Sequence, residues 1–197
     1  MDERWIFCPQ SSAQHRDVAE DELIAYNPEL QLSYLQTTNP DKTKLELGTG
    51  TVVVRINGLC EGDGKKAQGS WGVYFGPGSR YNAKATTQAD QSIAEIDALW
   101  KAVNTIDRIC AENTSLRSFV IVTDSNYILL AMSFWAPNGG KSAKGRPVPF
   151  AERFIPIYDN LYFTNFVDCR DIKITFWQVS PDKNDEAYQL SLRALNR

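Results

Sequence analysis

Thr51-Val52-Val53-Val54-Arg55-Ile56-Asn57-Gly58 decides how the rest of the chain is read. Five of these eight residues are β-branched, which stiffens χ1 and favours an extended backbone, so the stretch predicts a strand ending at Gly58. On its N-terminal side, residues 1 to about 50 are mixed and weakly periodic, are interrupted by Pro9, Pro28 and Pro40, and end at the turn-like Gly48-Thr49-Gly50. They read as an extension lying across a domain, with Trp5, Ile6 and Phe7 as its apolar anchor.

On the C-terminal side, Gly69 to Phe75 and Arg80 to Ala85 predict two more strands separated by Gly76-Pro77-Gly78, completing an antiparallel meander. Ile93, Ile96, Leu99, Trp100, Val103, Ile106 and Cys110 recur at helical spacing, and Ser92 with Glu95 gives an S-x-x-E start signal. Phe119 to Thr123 then predicts a strand buried on both faces, with a short helix over Ser125 to Met132. A glycine-rich basic loop, Pro137 to Pro149, carries Lys141, Lys144 and Arg146. A helix from Phe150 to Phe166, a strand from Ile172 to Val179 and a helix from about Asn184 to Leu195 follow. The order β-β-β-α-β-α-α-β-α implies an α/β fold. Its five-stranded mixed sheet is an antiparallel meander of three strands plus parallel strands, flanked by helices over residues 51–197.

Bulk properties narrow the function. The chain has 197 residues, 43% hydrophobic and 23% charged, enough for one domain with an attached segment. No apolar run nears the roughly 18 residues of a membrane span. Met1 is followed by Asp2, Glu3 and Arg4 rather than a secretory apolar stretch, which points to an intracellular address and no membrane partner. Cys8, Cys60, Cys110 and Cys169 are far apart, have no zinc-type spacing, and read as buried free thiols. The single histidine, His15, lies in the extension, so chemistry needing a histidine from the globular part is excluded. A net charge of -3 argues against general affinity for nucleic acid, so any such binding needs a local basic patch.

At the strand ends the sequence resembles the ribonuclease H family. Ile56-Asn57-Gly58-Leu59-Cys60 stands where the family's first strand reads T-D-G-S/A-C, and Thr123-Asp124-Ser125 where its fourth reads T-D-S. Ala94-Glu95-Ile96-Asp97-Ala98-Leu99 is similar to the R-A-E-x-x-A-L helix, and Gly69-Ser70-Trp71-Gly72-Val73-Tyr74-Phe75 to the second strand. Trp135, Asn138-Gly139, Lys141 and Gly145-Arg146-Pro147-Val148 are similar to the W…NGW-K-x-x-x-G-K-P-V segment. The resemblance implies cleavage of the RNA strand of RNA–DNA hybrids by two magnesium or manganese ions on four carboxylates. Such ions repel one another unless anionic oxygens hold them together.

The carry-over is partial. The helix glutamate is Glu95 and the fourth-strand aspartate is Asp124, but the first-strand aspartate falls at Asn57. The last-helix aspartate of the G-N-E-x-A-D pattern falls at Tyr188, with Asp185 and Glu186 as nearby substitutes, and the flexible-loop histidine falls near Pro181. The resemblance therefore implies a ribonuclease H-like domain with an impaired site that binds RNA–DNA hybrid or double-stranded RNA. Lys141, Lys144 and Arg146 are its expected phosphate contacts, with Gln91, Ser92 and Asn126 along the minor-groove surface. A metal-dependent nuclease using Glu95, Asp124 and a substitute acid remains open, and so does a protein-interaction scaffold that needs no cofactor. Structural uses compete for the same residues: a capping box between Glu95 and Ser92, a cap on the next helix by Asp124, and core packing by Trp100, Trp135 and Trp177.

Overall fold

The β-branched run extends well beyond the residues that announce it, from Leu45 to Glu61. The computed structural model describes residues 3–38, 45–62 and 64–196, and Pro40 lies outside them. Seven strands form one sheet: β1 Ile24–Asn27, β2 Leu32–Thr38, β3 Leu45–Glu61, β4 Gln68–Tyr74, β5 Ala83–Thr87, β6 Ser118–Thr123 and β7 Lys173–Gln178. Strands β3, β4 and β5 are the antiparallel meander, and β6 and β7 join parallel on the other side of β3. The five expected strands thus lie in the order β5-β4-β3-β6-β7, and the extension adds two more.

Gly48-Thr49-Gly50, expected as a turn, is strand instead. Strand β2 pairs antiparallel with β3 on either side of it, at Leu45 to Leu47 and again at Val52 and Val53, so these residues lie at a shift of register within the strand rather than at a chain reversal. At Val53 and Arg55, β6 occupies one edge of β3, so β2 and β4 share the opposite edge end to end. The Ser33 amide donates to the Phe75 carbonyl at 2.8 Å where they meet. The third strand starts at Ala83 rather than Arg80. Residues 76–82 are used in two turns, and the Asn82 side chain is bonded to the Phe75 N–H and the Gly76 carbonyl.

The helices are α1 Gln91–Glu112, α2 Asn126–Leu130, α3 Ala151–Phe166 and α4 Asp185–Leu195, with a π turn, Ala131–Trp135, continuing α2. The buried face of α1 includes Ala94, Ala98, Ala102 and Ile109 and so is rotated away from Trp100, which is 46% exposed and not the packing residue expected. Asp90, not Ser92, caps α1, accepting from the Ser92 and Ile93 amides at 2.8 and 3.1 Å. Two glycines bring helices onto strands. A Cβ on Gly58 would sit 2.3 Å from the Glu95 nitrogen of α1, and one on Gly72 would sit 2.4 Å from the Ala187 carbonyl oxygen of α4.

Two apolar layers result. Val52, Val54, Ile56, Phe119, Ile121 and Phe176 pack under α1 and α3 on one face, and Val53, Val120, Val122 and Trp177 lie on the other. The extension covers that second face with Val18, Leu23 and Leu35. It also borders β7, where Ile6 bridges Phe176 and the Phe7 amide donates to the Phe176 carbonyl. Trp5 is fully buried against Tyr158, Phe166 and Phe176. His15 is packed rather than merely polar-flanked: it is 8% exposed, lies edge-on to Phe7, and sits 2.7 Å from the Ser12 hydroxyl, with burial lowering its pKa. All four cysteines are free, but only Cys110 is buried. Burial pushes its thiol up to about 11, while Cys8 and Cys169 are exposed.

Candidate active-site cleft

Strands β3 and β6 run parallel, so the ends that carry Asn57 and Asp124 open on the same side of the sheet, and α1 lays Glu95 over them. The cleft between Asn57, Glu95, Asp124 and Ser125 holds about 10 Å³, roughly the space of one water molecule. Glu95 faces it and closes no capping box. Its Oε1 accepts from the Gln91 amide at 2.9 Å, and its Oε2 accepts from the Ser125 hydroxyl. Burial raises its pKa, those two bonds oppose the rise, and the Asp124 and Asp90 charges add to it. Asp124 does not cap α2 either, because Ser125 does, accepting from the Ile128 amide at 3.2 Å.

Asp124 is held instead by amides. The Asn184 Nδ2 donates to its Oδ1 at 2.6 Å, and the Asn57 Nδ2 approaches the same oxygen at 3.4 Å. Asn184, the residue before α4, is fully buried, and its Nδ2 also donates to the Ile56 carbonyl at 2.8 Å. These donations fix the amide so that Asn184 Oδ1 points away, and both Asn184 Oδ1 and Asn57 Oδ1 are buried without a hydrogen-bond partner. Asn184 entered the sequence reading only as a helix start. Its position as the asparagine of the G-N-E-x-A-D pattern was the available signal.

The other expected positions lie apart from this cleft. Tyr188 is half-buried on α4 and does not line it. Asp185 and Glu186 line a separate groove on the opposite face, where Glu186 pairs with Arg55 at 3.5 Å. No cluster of three or more histidine, cysteine or acidic side chains suited to a metal occurs among the described residues. Two carboxylates beside the Asn57 amide, with Tyr188 outside the cleft, do not fit the four-carboxylate set that a pair of divalent ions needs, and one oxygen of Asp124 is already engaged by N–H donors.

Of the expected groove residues, Gln91 is consumed internally, bonding Gly58, Cys60 and Glu95, and Asn126 accepts from Gln178 at 2.5 Å. Only the Ser92 hydroxyl has no partner among the described residues. The basic loop is a tight hairpin. Lys141 bridges Pro147, the Ser142 amide donates to the Arg146 carbonyl at 2.9 Å, and Gly145 sits at φ 71° where a left-handed turn requires it. It presents exposed Lys141, Lys144 and Arg146 with no ion pair among the described residues. Trp135 packs between Tyr127 and Phe154, as expected of a core residue.

The Glu95 shift makes a prediction with a defined sign. A carboxyl whose folded pKa lies above its unfolded value contributes stability below the unfolded pKa and loses it as pH rises through the folded one. Glu95→Gln should therefore raise the thermal midpoint at neutral pH and leave it unchanged in acid below both values. An equal change at both pH values would remove titration as the cause.

No family model matches the chain. It is 30% identical over 114 residues to ribonuclease H1 of Rattus norvegicus, an alignment covering 54% of this chain and 38% of that protein, so the chain spans well under half the length of the curated relatives it matches. A ribonuclease H1 isolated from compost by a metagenomic approach superposes with a TM-score of 0.55 at 17% identity, over 75% of this chain and 97% of the other. The foamy viral protease-reverse transcriptase in complex with RNA/DNA hybrid gives 0.54 at 22% identity, over 72% of this chain and 19% of the other. With the strand order β5-β4-β3-β6-β7 and the sequence likeness agreeing, the chain contains a ribonuclease H-like domain.

Proposed function

We propose that this domain binds RNA–DNA hybrid or double-stranded RNA through the Lys141–Arg146 hairpin and does not hydrolyse it by the two-ion route. The observation that carries the proposal is the hold of Asn184 and Asn57 on Asp124: amide N–H groups occupy a carboxylate oxygen that two metal ions would need, and an amide at Asn57 and a phenol at Tyr188 stand in the places of two acids. Two oxygen anions cannot offset the repulsion between paired divalent cations. Binding rests on the local cation cluster, because the chain as a whole is anionic.

The test measures anisotropy of a labelled hybrid across a salt series, with the wild type and with Lys141→Glu/Lys144→Glu/Arg146→Glu. Loss of three phosphate contacts should lower the salt slope by about 2 to 3 and weaken binding at least tenfold. Equal affinity in both proteins, or wild-type affinity no better than an acidic control protein, would favour a scaffold instead. Cleavage with magnesium or manganese that Asp124→Asn abolishes would restore the nuclease reading.

A further inference from the structure

A groove of about 750 Å³ lies on the face of the sheet opposite α1, where the extension meets β3, β4, the end of β7 and the start of α4. Its size suits an extended side chain with its flanking backbone. Tyr26, Tyr74 and Trp177 supply aromatic walls. The two cations on its surface are already engaged: Arg55 pairs with Glu186 at 3.5 Å and donates to the Lys183 carbonyl, and Lys183 pairs with Glu20. Asp21, Asp182 and Asp185 remain without ion pairs among the described residues, so the groove is anionic.

Two further side chains point to a ligand. Trp177 is 7% exposed and Ser33 is 7% exposed, both line the groove, and neither the indole N–H nor the hydroxyl has a hydrogen-bond partner among the described residues. Neither is among the polar atoms buried without a partner, so both stay open to a ligand that fills the groove. A nucleic-acid backbone is repelled by these three carboxylates, none of which has an ion pair among the described residues. A polypeptide with cationic side chains offers what the surface lacks: carbonyl oxygens for the indole, and guanidinium or ammonium groups for the acids and aromatic faces.

We propose that this groove docks a basic peptide segment of a protein partner, with its cationic side chains at Asp21 and Asp182 and a backbone carbonyl on the Trp177 indole. The site is separate from the hairpin that carries the proposed hybrid binding. The probe is acetyl-Arg-Gly-Arg-Gly-Arg-amide titrated into the full ¹⁵N-labelled chain, with the glutamate counterpart as control and Trp177→Phe assigning the indole resonance. The arginine peptide should shift that resonance, and the glutamate peptide should not. Asp21→Asn/Asp182→Asn, both exposed positions, should weaken binding about fivefold. The hairpin triple variant should bind the peptide as the wild type does, which separates failure here from failure of hybrid binding. No shift of the Trp177 indole up to about 5 mM peptide, unchanged affinity in the double variant, or displacement of the peptide by hybrid would overturn the proposal.

Discussion

Trp5→Ala is expected to cost about 4 kcal/mol of folding stability, the range for a fully buried large aromatic truncated to a methyl group. Trp5 lies four residues from the start of the chain, where side chains usually contribute little, yet it is fully buried and its ring meets Tyr158 and Phe166 of α3 at 5.6 and 5.5 Å and Phe176 of β7 at 6.4 Å. Deleting it opens a cavity between α3 and the outermost parallel strand, β7. Trp5→Phe should cost under about 1.5 kcal/mol, because it keeps most of the apolar volume and removes an indole N–H that is buried without a partner. Denaturant titration of the three proteins checks both values. If the alanine variant unfolds at the wild-type midpoint, the first residues do not belong to the cooperative unit.

Asn184→Leu is expected to destabilise the protein by about 3 kcal/mol, although leucine keeps asparagine's heavy-atom count and its branching at Cγ. The loss is electrostatic: the Ile56 carbonyl and the Asp124 carboxylate each lose a short amide donor, and hydrogen bonds to a charged group are the more costly to forgo. Combining Asn184→Leu with Asp124→Leu should recover part of that loss, because no half-buried carboxylate is then left short of donors. Chemical denaturation of the singles and the double gives the coupling. A coupling near zero would mean that the amide does not support the carboxylate.

Much of the fold was legible because its strands are short, β-branched and separated by glycine-rich turns, and because α1 repeats its apolar residues at helical spacing. The site was legible where a motif names a residue: Glu95 and Asp124 do face one cleft. It was not legible where a local signal competed with a distant partner. Ser92 and Glu95 form a sound capping box on paper, but Asp90 stands two residues earlier and its carboxylate caps the Ser92 and Ile93 amides, so the helix has begun before Ser92. Asp185 and Glu186 lie within one turn of Tyr188, yet the direction α4 takes from its buried Asn184 sends them to the other face of the sheet. Strands β1 and β2 escaped notice because their register is set by pairing with β3, which no local pattern encodes.

The path of the extension limits where the chain can be shortened. A version starting at Thr51 would keep every strand the sequence announces. It would also lose the backbone partners of Val52 and Val53, uncover Val120, Val122 and Trp177, and free the outer rim of β7 beside Phe176. Bare ladder groups next to a bare valine-rich surface are what lead one molecule to adhere to the next. The described residues ahead of Thr51 thus cover an edge and a face that would otherwise be open to a second copy.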